Sequence, residues 1–280
     1  MNGDPGYFGP NSMMWKVNKE ITVLFGGARA LLMHAAHPLI AAGARQTSFY
    51  QRDPWKRLIR TLSLQNSVTF GTKKEADESA HRINKLHEVI KGKDEITGEI
   101  YDALDHEQLL WVHACLQVSS IYFYEKTVKK LSNEEKNQYH KENMLSADLV
   151  LVDVKNMPQT HEDLKNWVIE KSKSKNYLIY TDVAKDVQDI ISGGPVPTHI
   201  KPIWPFIAFT AFNTLPTEFK ELYGIKTTKF KTALLNFNLA LLKYTRPLLP
   251  PFFRLIAPAR WAKQRIRKKP DLLFKDKANF

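Results

Sequence analysis

Apolar residues recur at intervals of three and four along most of the chain, which is the period of an α-helix with one buried face. Start signals precede several of these stretches: Asp53 followed by Pro54, and the capping-box sequences that begin at Thr72 and Ser132. The pattern predicts helices over about 18–27, 28–36, 54–68, 73–91, 101–124, 132–151, 161–171, 181–192 and 230–244. No run of strand alternation is present, so we expect an all-α fold.

The helix over 101–124 should lie at the centre of the molecule, because its apolar residues spread around much of its circumference. Gly26 and Gly27 lie together near the end of the first predicted helix, which indicates either close backbone packing or a break. A chain of 280 residues with 43% apolar residues can bury a sizeable core. We therefore expect one helical domain over 18–255, between a flexible segment at 1–17 and a basic tail at 256–280.

The formal net charge is +12, and an excess of this size usually means an anionic partner. Cys115 is the one cysteine, so neither an intramolecular disulfide nor a thiolate zinc cage can form. The start of the chain lacks the basic and apolar runs of a signal peptide, and the most apolar stretches are short and interrupted by proline. These features favour a cytoplasmic protein, with peripheral membrane attachment as an open option.

The segment from Arg246 to Lys269 contains eight Lys or Arg residues, several aromatic residues and no acid. Three interpretations stay open: a solvated tail, a strap that packs on the core, or an interfacial membrane contact in which aromatic rings enter the headgroup region. Nucleic acid is not expected as a partner, because no docking motif accompanies the charge. No P-loop, GxGxxG, HExxH or Ser-His-Asp order supports a nucleotide-binding protein, a zinc peptidase or a hydrolase.

His87 lies on an apolar helical stripe with Ile83 and Ile90. The commoner explanation of such an imidazole is a core histidine satisfied by one hydrogen bond. The alternative is a haem ligand, since ligation of haem iron needs a ring that a rigid helix presents to an apolar slot. Spacing alone does not separate the two.

Arg57, Arg60 and Thr61 share one face of the predicted helix, and Leu64 and Val68 continue that face as an apolar stripe. A solvated basic patch is the ordinary interpretation. The apolar continuation instead suggests the mouth of a pocket, where a guanidinium could pair with haem propionates or donate a hydrogen bond to dioxygen at the iron.

Three further histidines have weaker signals. His34 and His37 have a spacing that permits a metal pair, but no third ligand is near in sequence, so helix-end packing or pocket lining is favoured. His113, two residues before Cys115 in the central helix, is either a hydrogen-bonded core residue or a side chain of the pocket. Cys115 itself should be an inert core residue.

Several short motifs occur together in one order along the chain. They are Gly26-Gly27-Ala28-Arg29-Ala30-Leu31-Leu32, His37-Pro38, Asp53-Pro54 with Arg57-Leu58-Ile59-Arg60-Thr61, Phe70-Gly71, Leu86-His87-Glu88-Val89-Ile90-Lys91-Gly92, Tyr101-Asp102-Ala103 and Leu110-Trp111-Val112-His113-Ala114. With this set, the chain over about 20–255 resembles the MpaB-type oxygenases, whose catalytic domain is shared with latex-clearing protein, a bacterial rubber oxygenase.

The resemblance implies an all-α bundle that encloses a haem b pocket, with His87 as the proximal ligand of the iron. Arg57, Arg60 and Thr61 match the distal Arg-x-x-Lys-Thr motif of the rubber oxygenases, with Arg60 at the lysine position. Because a guanidinium stays protonated, Arg60 can donate hydrogen bonds but cannot ligate iron, which favours water or an open distal position. Arg57 is expected to pair with a propionate or to support the distal face. Lys91 stands where the family has an arginine after the proximal histidine, and we expect it at the cofactor too.

The resemblance further implies a haem-dependent oxidoreductase that uses dioxygen on an apolar small molecule, with oxidative cleavage of an isoprenoid or lipid double bond as one form of the reaction. Polyisoprene as substrate does not follow from it. Two alternatives remain: a haem-binding protein without oxygenase turnover, and a haem-free helical protein that associates with membranes.

Overall fold

The computed structural model describes residues 3–47 and 52–267, and this part of the chain is helical, as predicted. Two short strands are the exception: β1 (Lys91–Lys93) and β2 (Ile100–Asp102) pair in antiparallel register. The helices are α1 (Met13–Asn18), α2 (Phe25–Ala35), α3 (Pro38–Thr47), α4 (Pro54–Phe70), α5 (Lys73–His87), α6 (His106–Thr127), α7 (Asn133–Leu149), α8 (His161–Lys173), α9 (Asp182–Gly193), α10 (Trp204–Asn213), α11 (Thr217–Leu222), α12 (Lys229–Thr245), α13 (Pro251–Arg254) and α14 (Ala257–Arg267), with short 3₁₀ turns at Ile21–Leu24 and Arg246–Leu248.

The predicted helix starts at Asp53, Thr72 and Ser132 are confirmed. The Asp53 carboxylate accepts a hydrogen bond from the Lys56 backbone N–H at 2.9 Å. Thr72 and Ser132 each begin a complete capping box, in which cap and third residue exchange hydrogen bonds. These local bonds satisfy amides that the first helical turn leaves free, so the sequence alone locates these starts.

Helix α6 is central and buried, as predicted. Trp111, Cys115 and Phe123 are fully enclosed along its length. Helix α2 packs against α6 so closely that a Cβ on Gly26 would lie 3.1 Å from the Ser119 carbonyl oxygen. Of the two expectations for Gly26 and Gly27, close backbone packing is therefore confirmed. Helix α2 continues through both glycines without a break.

Some predicted element limits were wrong. Asn18 ends a helix instead of starting one, because Ser12 caps α1 and the Asn18 amide donates back to the Met14 carbonyl. The helix predicted to begin at residue 101 begins at His106, since Asp105 supplies its cap. The residues before it form the β1–β2 hairpin, whose turn is held by bonds from Thr97 to the Asp94 carboxylate. Short strands stabilised by one turn carry too little alternation to be seen in the sequence.

Both ends of the described chain contribute to the core. Phe8, Met14 and Trp15 are buried near the start of the chain. Trp15 stacks edge-on with Phe70, and Ala262 of α14 belongs to the same cluster. This burial argues against free flexibility over residues 3–17, while the domain limits themselves stay a prediction.

Within residues 3–47 and 52–267, no single helix is both long and apolar enough to cross a bilayer. The bent pair of segments Ile21–Ala35 and Pro38–Thr47 meets the length and composition required only when its two halves are counted together.

Candidate functional site

Helices α4 and α5 form an antiparallel hairpin joined at Gly71 and Thr72. Arg57 lies fourteen residues before Gly71, and His87 lies fifteen residues after Thr72. At 1.5 Å per residue, both positions are about 21–23 Å from the turn. The hairpin therefore brings the predicted distal group and the predicted proximal histidine to the same end of the helix pair.

His87 is the last residue of α5 and is half-buried. Its Nδ1 atom is shielded from water, and among the described residues neither ring nitrogen has a hydrogen-bond partner. Burial lowers the pKa of the imidazole, so the ring is held neutral with a lone pair available. A core histidine satisfied by a hydrogen bond would have a partner here. The ring instead has the properties of an imidazole that can ligate a metal.

The turn that follows His87 is fixed from two sides. The Gln46 amide donates to the Val89 carbonyl at 3.3 Å, and the Ala103 N–H donates to the Ile90 carbonyl at 2.9 Å. Gly43 of α3 lies so close to the Ile90 side chain that a Cβ there would approach it to 3.1 Å. Helix α3 and the β-hairpin thus hold the end of α5, which limits the movement of the His87 backbone.

The predicted distal residues lie on α4 at different depths. Arg57 is half-buried, whereas Arg60 and Thr61 are exposed. The Thr61 hydroxyl donates to the Arg57 carbonyl at 3.1 Å, so its proton is already used within the helix. The charge of Arg57 also acts on His34 of α2, whose pKa is lowered to about 4 chiefly by burial and further by this guanidinium.

Contacts at the start of α4 fix this end of the helix against α10. The rings of Trp55 and Trp204 meet edge-on with centroids 5.3 Å apart. The Trp55 indole N–H donates to the Pro195 carbonyl, and that of Trp204 donates to the Ile191 carbonyl at 2.9 Å. The backbone that carries Arg57 is thereby tied to the Gly-Pro-rich segment after α9.

Apolar side chains are exposed at the same end of the hairpin. Ile59 is 43% exposed on α4, and Leu86 and Val89, which flank His87, are 48% and 65% exposed. Water-exposed apolar groups beside an unpartnered imidazole are typical of a surface that another apolar group covers.

The remaining predicted residues are more scattered. Lys91 is exposed on β1, four residues after His87. His113 is buried in α6, where its Nε2 atom has no partner among the described residues and burial lowers its pKa to about 4. The Nε2 of His34 donates to the Val112 carbonyl at 3.0 Å, and the His37 ring packs edge-on against Tyr177. Over residues 3–47 and 52–267, no three potential ligand side chains gather as around a metal ion. Helix-end packing fits the contact of His34, whereas the buried Nδ1 atom of His37 has no hydrogen-bond partner among the described residues, so packing and pocket lining both stay predictions.

The sequence interpretation missed two features. Gln46, which holds the turn after His87, is an ordinary polar residue in the sequence and gives no signal there. The second is a buried polar cluster in which the Gln117 amide bonds to His140 and His161, with Asn143 donating to Gln117 at 2.9 Å. Its members come from three helices, so no spacing in the sequence connects them.

An enclosed haem pocket is not seen in the described part of the chain and stays a prediction. Two open depressions of about 490 and 370 Å³ are lined by residues around the start of α12 and between α8 and α11. Neither is lined by His87 or Arg57. In its donor chemistry, however, the open end of the α4–α5 hairpin fits haem: it combines an unpartnered neutral imidazole, two guanidiniums and exposed apolar side chains.

Comparison with known families gives evidence on the fold and the class of protein that is independent of the site geometry. Residues 15–254 match the family described as ER-bound oxygenase mpaB/B'/Rubber oxygenase, catalytic domain. The chain belongs to this family. The match runs from within α1 to the end of α13 and includes the hairpin and its predicted site residues. Searches of curated proteins and of solved structures gave no match. Membership in the mpaB/rubber oxygenase family identifies the fold as an oxygenase catalytic domain and supports an oxidoreductase.

Proposed function

We propose that this member of the mpaB/rubber oxygenase family is a haem b-dependent oxygenase that acts on an apolar substrate, with His87 as the axial ligand of the iron. The observation that carries the proposal is the position of His87. Its imidazole has no hydrogen-bond partner in the described residues and lies at the same end of the α4–α5 hairpin as Arg57, Arg60 and Thr61.

His87 would hold the cofactor through a ring nitrogen. Because burial keeps the ring neutral, no proton has to be displaced from the ligating atom near neutral pH. The bonds from Gln46 and Ala103 to the following turn fix the backbone from which the ring projects. When bound, haem supplies the activation of dioxygen, which no amino-acid side chain can provide.

Arg57 and Arg60 would serve as permanent cations and hydrogen-bond donors on α4. The half-buried Arg57 suits a propionate, since partial burial strengthens a charge-assisted bond to a carboxylate. Arg60 can donate a proton in a hydrogen bond but cannot lose it, so it would polarise an oxygen atom without ligating the metal. The Thr61 hydroxyl already donates to the Arg57 carbonyl, which leaves its oxygen as an acceptor.

An apolar substrate is supported by the exposed Ile59, Leu86 and Val89 around this end of the hairpin. Such a surface gains free energy by covering apolar area, roughly 25 cal/mol per Å². An apolar substrate surface and membership in an oxygenase family together support oxidative cleavage of an isoprenoid or lipid double bond as the class of reaction.

The first test is an absorption spectrum of protein produced with added haem precursor. We expect a Soret band in the wild type and its loss in His87→Ala. His81→Ala is the matched control, because His81 lies on the same helix and is exposed. A wild-type protein without a Soret band after haem supply would overturn the proposal and favour a haem-free protein. An unchanged spectrum in His87→Ala would assign the ligand to another residue, with His113 next to be tested.

A second test separates turnover from simple haem binding. Dioxygen consumption should depend on an added alkene and should fall at least about tenfold in Arg60→Ala, as for the loss of one polarising donor. In Arg60→Lys, we expect the ferric spectrum to shift towards a six-coordinate form, because a lysine can ligate iron. Haem binding without any alkene-dependent dioxygen consumption would mean a haem protein that is not an oxygenase.

A further inference from the structure

Helix α12 exposes an apolar stripe that no described part of the chain covers. Four of its apolar residues are separated by seven, four and three positions, which places them within about 60° of one another on a helix. The 3₁₀ turn and α13 continue this surface. The exposed fractions are 75% for Phe230, 62% for Phe237, 44% for Leu241, 72% for Tyr244, 81% for Leu248 and 60% for Phe253.

The opposite side of α12 is packed against the protein. Asn238 and Leu239 are buried there, at 7% and 5% exposure. A helix on a water-exposed surface normally turns its apolar residues inward and its polar residues outward. Helix α12 has apolar residues on both faces, and the outer ones include three aromatic rings. A contiguous surface of this kind marks contact with another apolar phase or molecule.

The charge around the stripe indicates what that phase is. From residue 226 to residue 267 the chain has ten Lys or Arg residues and no acid. Two of these cations have carboxylate partners: Arg246 pairs with Glu20, with N–O distances of 2.7 and 2.8 Å, and Arg265 lies 3.7 Å from Glu75. Lys226, Lys229 and Lys263 are exposed. Because a second copy of the chain would bring the same positive charge to this face, self-association is opposed by electrostatic repulsion.

We propose that the α12–α13 face, comprising residues 230–253, docks on the surface of an anionic lipid bilayer. The aromatic and leucine side chains enter the boundary between headgroups and acyl chains, and the surrounding lysines and arginines contact the anionic headgroups. Most of this face lies on α12, before the segment 246–269 that the sequence suggested, and only its part over 246–253 falls within that segment. It does not depend on haem or on oxygenase activity.

The full-length protein can be tested by flotation with vesicles of phosphatidylcholine alone or with phosphatidylserine added. We expect binding to the anionic vesicles, weakened by salt because exposed charges are screened. The triple variant Phe230→Ser/Phe237→Ser/Tyr244→Ser should bind more than about 100-fold less well, since each aromatic side chain withdrawn from water contributes roughly tenfold. All three are exposed, so the fold should not depend on them.

The control is Ile96→Ser/Ile100→Ser, which removes two exposed apolar side chains of the β-hairpin and should leave binding unchanged. A charge variant, Lys226→Gln/Lys229→Gln/Lys231→Gln, should lose most of the preference for anionic vesicles, at about fivefold per lysine. Circular dichroism confirms that each variant is folded.

Three results would overturn the proposal. The first is equal binding of the wild type to neutral and anionic vesicles, and the second is wild-type binding by the triple aromatic variant. The third is a wild type that ignores vesicles but sediments as a dimer that the triple variant dissociates, which would assign the face to a second copy of the chain.

Discussion

The two adjacent glycines of α2 allow a sharp test of how helix packing is decided. Gly26 and Gly27 are in the same helix, yet their surroundings differ. A Cβ on Gly26 would lie 3.1 Å from the Ser119 carbonyl oxygen and 3.2 Å from its carbon, whereas a Cβ on Gly27 would have no neighbour within 4 Å.

The expected magnitudes follow from two opposing effects. Alanine in place of glycine at a position with helical backbone, such as these two in the first turn of α2, stabilises a protein by about 0.4–1 kcal/mol, because less backbone entropy is lost on folding. Gly27→Ala should gain this amount. In Gly26→Ala the methyl group must push the backbone of α6 away, and overpacking of this kind costs about 1–3 kcal/mol. Gly26→Ala should therefore be less stable than Gly27→Ala by about 1–3 kcal/mol.

Thermal and urea unfolding of the two variants, measured beside the wild type, give the comparison directly. For a chain of this size, 1 kcal/mol corresponds to about 2 °C in Tm. The Gly27→Ala protein should melt above the wild type and the Gly26→Ala protein below Gly27→Ala by about 2–6 °C. If Gly26→Ala is as stable as Gly27→Ala, the close approach of α2 and α6 does not restrict this position and the reasoning fails.

Two further predictions concern buried polar groups. The free energy of unfolding should fall as the pH drops from about 6.5 to 4, because histidines of the unfolded chain bind protons in this range while the buried imidazoles of the folded chain stay neutral. By pH 5 the loss is on the order of 2 kcal/mol for each buried ring. Burial lowers the pKa to about 4 in His34, His37, His113 and His161. Urea titrations at several pH values measure this effect, and a flat profile between pH 7.5 and 5 would contradict it. Glu20→Gln should cost about 3 kcal/mol because it leaves the partly buried Arg246 without its partner, while Glu20→Gln/Arg246→Met should recover most of that loss in the same assay. A cost below about 1 kcal/mol for the single variant would show that the pair is exposed in solution.

Much of the architecture follows from short-range features of the sequence. The starts of α4, α5 and α7 were predicted because Asp53, Thr72 and Ser132 form bonds within three residues of themselves. The burial of α6 was predicted because its apolar residues leave no polar face. Such signals are complete within one helix, and no distant residue is needed to interpret them.

The candidate functional site could be predicted only in part from such short-range features of the sequence. The residues Arg57, Arg60, Thr61 and His87 were selected from helical spacing and from the family resemblance, but spacing could not decide whether the imidazole of His87 has a hydrogen-bond partner. That depends on side chains from other elements, and the structure answers it for the described residues. Gln46, which holds the turn after His87, has no sequence signal because its role depends on how α3 lies against α5.

The sequence by itself determined the helical period, the caps, the excess of positive charge and the family to which the chain belongs. The tertiary structure decided which faces of the helices are covered. It placed Arg57 and His87 at the same end of one hairpin, and it left the outer face of α12 exposed. The physical reason is that the apolar stripe of a helix sets how much free energy is gained when that face is buried. Which stripes are in fact buried depends on how all the helices pack together.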